Sequence, residues 1–540
     1  MLLTKNYFKM RKIIYLLLVS FYIVGCSKKA EVLQIPLTSS SEEAIKIFAT
    51  EVLNSTEGNQ LLNQNNEQMT KALNKALELD PDFLIANAIK SLYFRQGMSS
   101  EKRNELITTA YENKSRVSEV EGAIIASIYE QIMSGNLIKA GAILEESLQK
   151  FPNYSYLWLY TGYFQNTVLL NPKKSEYSWE KALEINPESA RAKVLLSQLH
   201  FVTGQINTLS KNEIDEAKSI SLIEDAEKTD SKNYLYSRLL GNIYRARSEF
   251  DKSLSAYKKA QTLISDKNSF EYSLLDLLSG HNYLFKKDFN KARELYLKSN
   301  NSFDEASFPN VLTKTWTAHT YLYEKKYDEA IEVINVLENQ INSLDNPDPM
   351  RKINALATCD WERFLTYGHS QMKEDAYESV INRNVHLDEL KEKRKASAGS
   401  KEEVLRISLA TEIEKDFLKI WYLILFGEFE DAFSELKSYS QLSSEYLVYD
   451  SKAMVNFYKL SGYLNLMSGN LDASISFYNQ IPKELLDADN YHLYFYALAT
   501  KSKGQKEKSD ELFKYLANYN FAGWENSIIR ALAQVQLDEV

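Results

Sequence analysis

The strongest constraint on this 540-residue chain is a helical signature that recurs along it. Gly135-Asn-Leu-Ile-Lys-Ala140 leads to Leu144 and then to Pro152. Glu249-Phe250-Asp-Lys-Ser253 leads to Tyr257 and Ala260, Asp288-Phe289-Asn-Lys-Ala292 to Tyr296, and Lys326-Tyr327-Asp-Glu-Ala330 to Ile334. Each stretch has a turn, an aromatic residue or Leu, an acid or amide, a small residue, and a bulky residue four later. Residues four apart share one face of a helix. Just upstream, a second helical stretch carries a small residue with an aromatic three later: Gly241 and Tyr244, Gly280 and Tyr283, Ala318 and Tyr321. The unit is therefore a pair of helices. Aligned on that upstream position, the units fall at Ile128, Gly162, Ser197, Gly241, Gly280, Ala318, Ile420, Gly462 and Ala497. The steps 128 to 162, 162 to 197 and 462 to 497 are 34, 35 and 35 residues, and those to Gly280 and Ala318 are 39 and 38. A fixed period of this size marks stacked repeats.

These units resemble the tetratricopeptide repeat, two antiparallel helices in 34 residues. In that family the small residue at position 8 lets helix A approach helix B, and a small residue at position 20 does so from the other side. Proline at position 32 ends helix B; Asp80-Pro81, after Ala72 and Ala76, and Asn186-Pro187, after Ala182, fit that place. The resemblance covers about 70–520 and implies an all-α fold, an α-α superhelix. Composition agrees. The 17 Gly and 9 Pro are under half the usual shares of roughly 7% and 5%, too few for the turns of a sheet protein. At 44% hydrophobic the chain is too apolar to be disordered throughout.

One stretch departs from the period. Asn346-Pro347-Asp348-Pro349 breaks the chain, and 346–410 reads as a non-repeat helical insert. It would separate an N-terminal array, 41–345, from a C-terminal array with a capping helix, 411–540. The basic run Lys391-Glu-Lys-Arg-Lys395 reads as a solvated helix end or a headgroup-binding patch, with Glu389 placed to pair with Lys393 at i,i+4. Ser400 with Glu403, and Ser40 with Glu43, have the spacing of capping boxes.

The chain opens like an address. Lys5, Lys9, Arg11 and Lys12 precede the apolar run Ile13–Val24, which is too short to span ~30 Å of hydrocarbon comfortably. Either Met1 or Met10 can be the start. Ile23-Val24-Gly25-Cys26 resembles the lipobox of bacterial lipoproteins. That resemblance implies a signal peptide over 1–25, diacylglycerol on Cys26, an acylated new amino terminus, and a lipidated tether over 26–40. The opening is similar to that of tetratricopeptide lipoproteins of Bacteroidota envelopes. Lys28 and Lys29, where surface-exported members carry acids, imply a periplasm-facing protein, with the outer membrane as the expected site. Losing residues 1–25 removes four positive charges from a formal net charge of −9. So acidic a protein is a poor partner for nucleic acid, and none is expected. Cys359, the second of two cysteines, is left without a partner and reads as a buried thiol.

No phosphate loop, HExxH, Cys-x-x-Cys or Gly-x-Ser-x-Gly occurs in the sequence, and no catalytic residue, cofactor or metal is expected. Repeats of this family instead line a concave face with helix A. The matching positions include Tyr163, Arg238, Asn242, Arg245, His281, His319, Tyr323, Trp421 and Tyr463. Asn242, His281 and His319 share position 9 of consecutive units, flanked by Arg238 and Arg245. A polar, cationic strip on a Tyr-rich face suits a carboxylate. Two functions follow as expectations. One is a non-catalytic scaffold that holds a protein or peptide partner in the envelope. The alternative is an outer-membrane glycan-binding lipoprotein of the starch-utilisation type, although the opening Asp-Phe-Leu-Asp of those proteins is absent here.

Overall fold

A computed structural model describes residues 35–53, 67–93, 98, 100–201, 209, 213–301, 310–343 and 349–538. The signal peptide, Cys26, most of the tether and the Asn346-Pro347-Asp348 break lie outside the described residues. The described residues hold 26 α-helices and no strand. Successive helices pack as hairpin pairs, and the pairs stack into an all-α superhelix of the tetratricopeptide type.

In four pairs a glycine of helix A faces a large residue of helix B, sixteen or seventeen positions on. A Cβ built on Gly280 would stand 2.5 Å from Tyr296 Cε1, one on Gly462 2.8 Å from Tyr478 Cε2, and one on Gly162 2.6 Å from Trp179 Nε1. Gly241 faces Tyr257 in the same way. All four partner rings are buried. Where helix A carries Ala318 or Ala497 instead, the facing residue is Ile334 or Phe513, also buried. Hydroxyls fasten the same seam: Ser253 Oγ donates to Gly241 O at 2.7 Å, and Ser474 Oγ to Gly462 O at 2.8 Å.

Helix A ends the same way in unit after unit. Seven residues beyond position 8 the backbone turns left-handed, at Gly135, Ser248, Lys287, Lys325, Gly427, Gly469 and Gly504, with φ between 58° and 85°. In the unit of Gly162 the residue is Leu170, eight on, at 47°. A left-handed residue is a common helix stop, and it lets the chain reverse into helix B.

The same turn recurs in the stretch 349–396. Gln371 is left-handed, at φ 65°, seven residues after Phe364. Helices Pro349–His369 and Lys373–Ala396 form a pair on that turn, and Phe364 and Val380 are buried in one cluster. The stretch packs as a helix hairpin between its neighbours, as the units do. Its signature is hidden because Phe occupies the small-residue position. Helices of 21 and 24 residues also stretch the spacing past 34. The boundary at 410 falls inside one continuous helix, Lys401–Leu425.

Helix caps shift by small amounts. Ser41, not Ser40, caps helix Glu42–Ile47, its side chain accepting from Ala44 N at 3.2 Å. The reason is Asp80, which accepts from Ser40 N at 2.7 Å and from Ser39 Oγ, holding both in the preceding loop. Ser400 Oγ accepts from Glu403 N at 3.0 Å, while Glu403 reaches back to Gly399 N at 2.8 Å rather than to its own cap. In the basic run Lys391 pairs with Asp388 and Glu412, Lys393 with Glu389, and Lys395 with Glu392.

The superhelix curls until distant parts touch. Arg191 Nη1 donates to Leu53 O at 3.0 Å, Ser400 Oγ to Met133 O at 3.4 Å, and Lys452 Nζ to Val168 O at 2.8 Å. Among the described residues no helix is long and apolar enough to cross a membrane.

Candidate functional site

The inner face is built by helix A of successive units. In helices Tyr234–Ala246, Phe270–Phe285 and Asn310–Tyr323, position 9 supplies Asn242, His281 and His319. Each is tied to its own unit or the next. Arg245 Nη1 donates to Tyr257 Oη at 3.0 Å, and Tyr257 Oη donates to Asn242 Oδ1 at 2.7 Å. His281 Nδ1 lies 2.6 Å from Tyr296 Oη, and its ring meets Trp316 edge-on at 4.7 Å. His319 Nε2 lies 2.8 Å from Glu362 Oε2, both groups buried.

Burial sets the protonation of His281. It holds the His281 imidazole well below its ordinary 6.5, and the nearby Arg245 and His319 add to the effect. His281 is therefore neutral at pH 7, and Tyr296 Oη, whose own pKa burial pushes well up, is placed to donate to its Nδ1. Arg238 is 7% exposed, and its Nε has no hydrogen-bond partner. Tyr323 stacks with Phe289 at 6.4 Å between ring centres, while its buried Oη has no hydrogen-bond partner.

Further along, the face turns aromatic. Trp421 Nε1 donates to Tyr491 Oη at 3.1 Å, and Tyr463 packs on Phe495 at 4.1 Å. Tyr163 stands apart from both groups, in a cluster with Leu159 and Trp179. Cys359 is buried, with its thiol pushed up to about 12 by burial.

The expected open polar strip is covered. Arg245, His281 and His319 are 2%, 3% and 5% exposed, because the chain's own C-terminal segment lies over them. Asn520 is fully buried: its Nδ2 donates to Arg245 O at 3.1 Å and to Ser248 Oγ at 2.7 Å, and its carbonyl accepts from Arg245 Nε at 3.3 Å. Ala522 joins the cluster of Leu277, Leu284 and Tyr296. Helix Trp524–Asp538 follows. Its Arg530 donates to Tyr519 O at 2.7 Å and lies 5.0 Å over the Phe285 ring. Trp524 sets its ring against Trp361 and Trp421, at 5.8 and 5.7 Å.

Asn520, Trp524 and Arg530 escaped the sequence reading. The one available signal was Asn518-Tyr-Asn-Phe-Ala-Gly-Trp524, a non-helical link rich in aromatics between two helical stretches. The set as a whole offers recognition: amide and guanidinium groups that hold main chain, beside aromatic faces that take apolar side chains. No group of three or more His, Cys, Asp or Glu arranged for a metal ion occurs among the described residues.

Fold and face together define an all-α protein of stacked helix hairpins. No family model and no curated protein matches the chain. Solved structures are similar at low identity. A human IFIT1 dimer with PPP-AAAA is 15% identical over 82% of this chain and 95% of that one, with a TM-score of 0.34. The same protein with m7Gppp-AAAA gives 16%, 84%, 96% and 0.36. The P58(IPK) TPR domain gives 12%, 78%, 99% and 0.22.

Proposed function

We propose that this protein is a lipid-anchored lipoprotein of the bacterial envelope, facing the periplasm from the outer membrane, and that its helical array is a non-catalytic scaffold for a protein or peptide partner. The observation that carries the scaffold reading is the Asn520 contact. The inner face already receives an irregular stretch of chain, and Arg245 binds that stretch through its backbone carbonyl. A groove that holds backbone in this way suits an extended peptide. Arg238, beside it with an unbonded Nε, suits a carboxylate on that peptide. The anchor rests on the ordered signal that ends at Cys26. More than one acyl chain is what stable anchoring to a bilayer needs.

Affinity capture from detergent-solubilised envelope tests the scaffold, with parent and Arg238→Glu compared at equal helicity. Loss of the captured protein in the variant supports the reading. Equal capture removes the inner face as the site. Retention on a glycan array with no captured protein would favour the glycan-binding alternative. Metabolic labelling with a clickable palmitate tests the anchor: Cys26→Ala should lose the label and leave the membrane fraction, and label retained on that variant ends the claim.

A further inference from the structure

A cavity of about 440 Å³ lies where the turn after helix Ser155–Thr167 meets the C-terminal units. Its size falls in the lower part of the roughly 300–1,000 Å³ common for small-ligand sites. Leu170, Ile413 and Leu485 form an apolar wall, and Asp450, Lys452, Lys459, Asp489 and Glu525 a polar one. Lys459 Nζ pairs with Asp489 at 2.8 Å. Lys452 Nζ donates to Val168 O at 2.8 Å and stands 3.9 Å from Asp450. Both ammonium groups are thus engaged. Glu525, the third carboxyl on the wall, has no ion-pair partner among the described residues.

We propose that this cavity binds an alkylammonium or guanidinium group, with Glu525 holding the charge and Leu170, Ile413 and Leu485 taking the aliphatic stem. The cavity adjoins the inner-face strip through Glu525, but the proposal does not depend on the scaffold reading. Three carboxyls against two ammonium groups leave one half-buried carboxyl on the wall without a counter-ion. A partly buried carboxylate gains from a charge-assisted hydrogen bond, so a cation is the ligand that suits it. A stem of several methylenes can lie on apolar surface while its head meets the carboxylate, as Lys and Arg side chains do. Two sources carry this chemistry: a free amine, or a basic side chain of a peptide.

The proposal carries a pH signature. Burial pushes the Glu525 carboxyl up to about 7, helped by Asp489 and Glu362 and opposed by His319. Tyr323, Tyr519, the Lys459–Asp489 pair, and Asp450 and Lys452 of the cavity wall also stand near it. Asp489 is held at about 2, so it stays ionised where Glu525 titrates. A cation needs Glu525 ionised, so affinity should fall about tenfold per pH unit well below 7.

Calorimetry on the full-length protein tests this with two probes, 1,5-diaminopentane and a Gly-Ser peptide carrying one Lys. One saturable site is expected, about tenfold weaker at pH 5 than at pH 6. Glu525→Gln should weaken binding at pH 8 at least tenfold without lowering the thermal midpoint, and Ile413→Trp, which fills the cavity, should do likewise. Binding of the diamine alone assigns the site to free amines, and binding of the peptide assigns it to basic side chains. No binding of either probe, or unchanged binding to Glu525→Gln, overturns the proposal.

Discussion

The inner face has two halves, covered by one C-terminal segment in two ways. From Tyr234 to Tyr323 the half is polar, and the cover is held by directed bonds: Asn520 to Arg245 and Ser248, and Arg530 over Phe285. From Trp361 to Tyr491 the half is aromatic, and Trp524 packs into it as one ring among several. The aromatic half belongs to a large continuous core cluster that includes Ile529 and Ala533 of the covering helix itself. The polar half has a smaller core beneath it, in which Ala522 is the segment's only buried apolar contribution among the described residues. Aromatic burial sums over area, whereas hydrogen bonds gain little net and cost most when one partner is left alone. The aromatic half should therefore be the structural hinge of the cover, and the polar half the part a partner can replace.

Trp524→Ala should be the severest test. It removes a ring from the contact of Trp361, Trp421 and Tyr491, and about 3–5 kcal/mol of stability should go with it, read by denaturant unfolding. A loss no larger than that of an exposed substitution would erase the distinction between the halves. Acid should also strike the aromatic half. His492 is buried and His369 half-buried, and burial lowers each to about 4. Their unfolded values near 6.5 mean that the unfolded chain takes up protons first, so stability is lost as pH falls from about 6.5 towards 4. At pH 5 each should cost about 2 kcal/mol. Glu525, raised to about 7, works in the opposite sense: its contribution is full below its ordinary value and is lost as pH rises through 7. Thermal midpoints from pH 7 to 5 should therefore fall more steeply in Glu525→Gln than in the parent.

Gly280→Leu probes the frame beneath the polar half. Even one added carbon meets Tyr296, so overpacking of ~1–3 kcal/mol should lower the thermal midpoint. Asn520→Ala leaves Arg245 O and Ser248 Oγ short of a donor, at a cost of ~1–3 kcal/mol. Hydrogen exchange should show the loosening at 519–523 and in helix Tyr234–Ala246, with the Trp524 contacts still protected. Loosening that spreads evenly over both halves would mean that the cover is a single cooperative unit. Lys393→Ala, with an exposed partner at 3.7 Å, should shift stability by less than about 0.5 kcal/mol.

Legibility in the sequence followed the range of each interaction. Gly241, Gly280 and Gly462 announced the helix seams because their partners lie sixteen residues away, within one unit. The unit of Phe364 did not announce itself. A large residue at position 8 is tolerated where the residue sixteen on is smaller, here Val380, and a search for small residues passes over it. The aromatic and polar positions along helix A were legible as a series. Their exposure was not, because nothing in a unit says what will lie on top of it.

Sequence alone determined the helical class, the register of the units and the residues that face inward, since each depends on contacts within a few tens of residues. Tertiary structure decided that the inward face is closed. Asn520 meets Arg245 across 275 positions, and Lys452 meets Val168 across 284. Such meetings depend on the curvature that accumulates over many stacked units, each rotated slightly on the last. A pattern read one repeat at a time carries the rotation of each step but not the place where the sum brings the chain back upon itself.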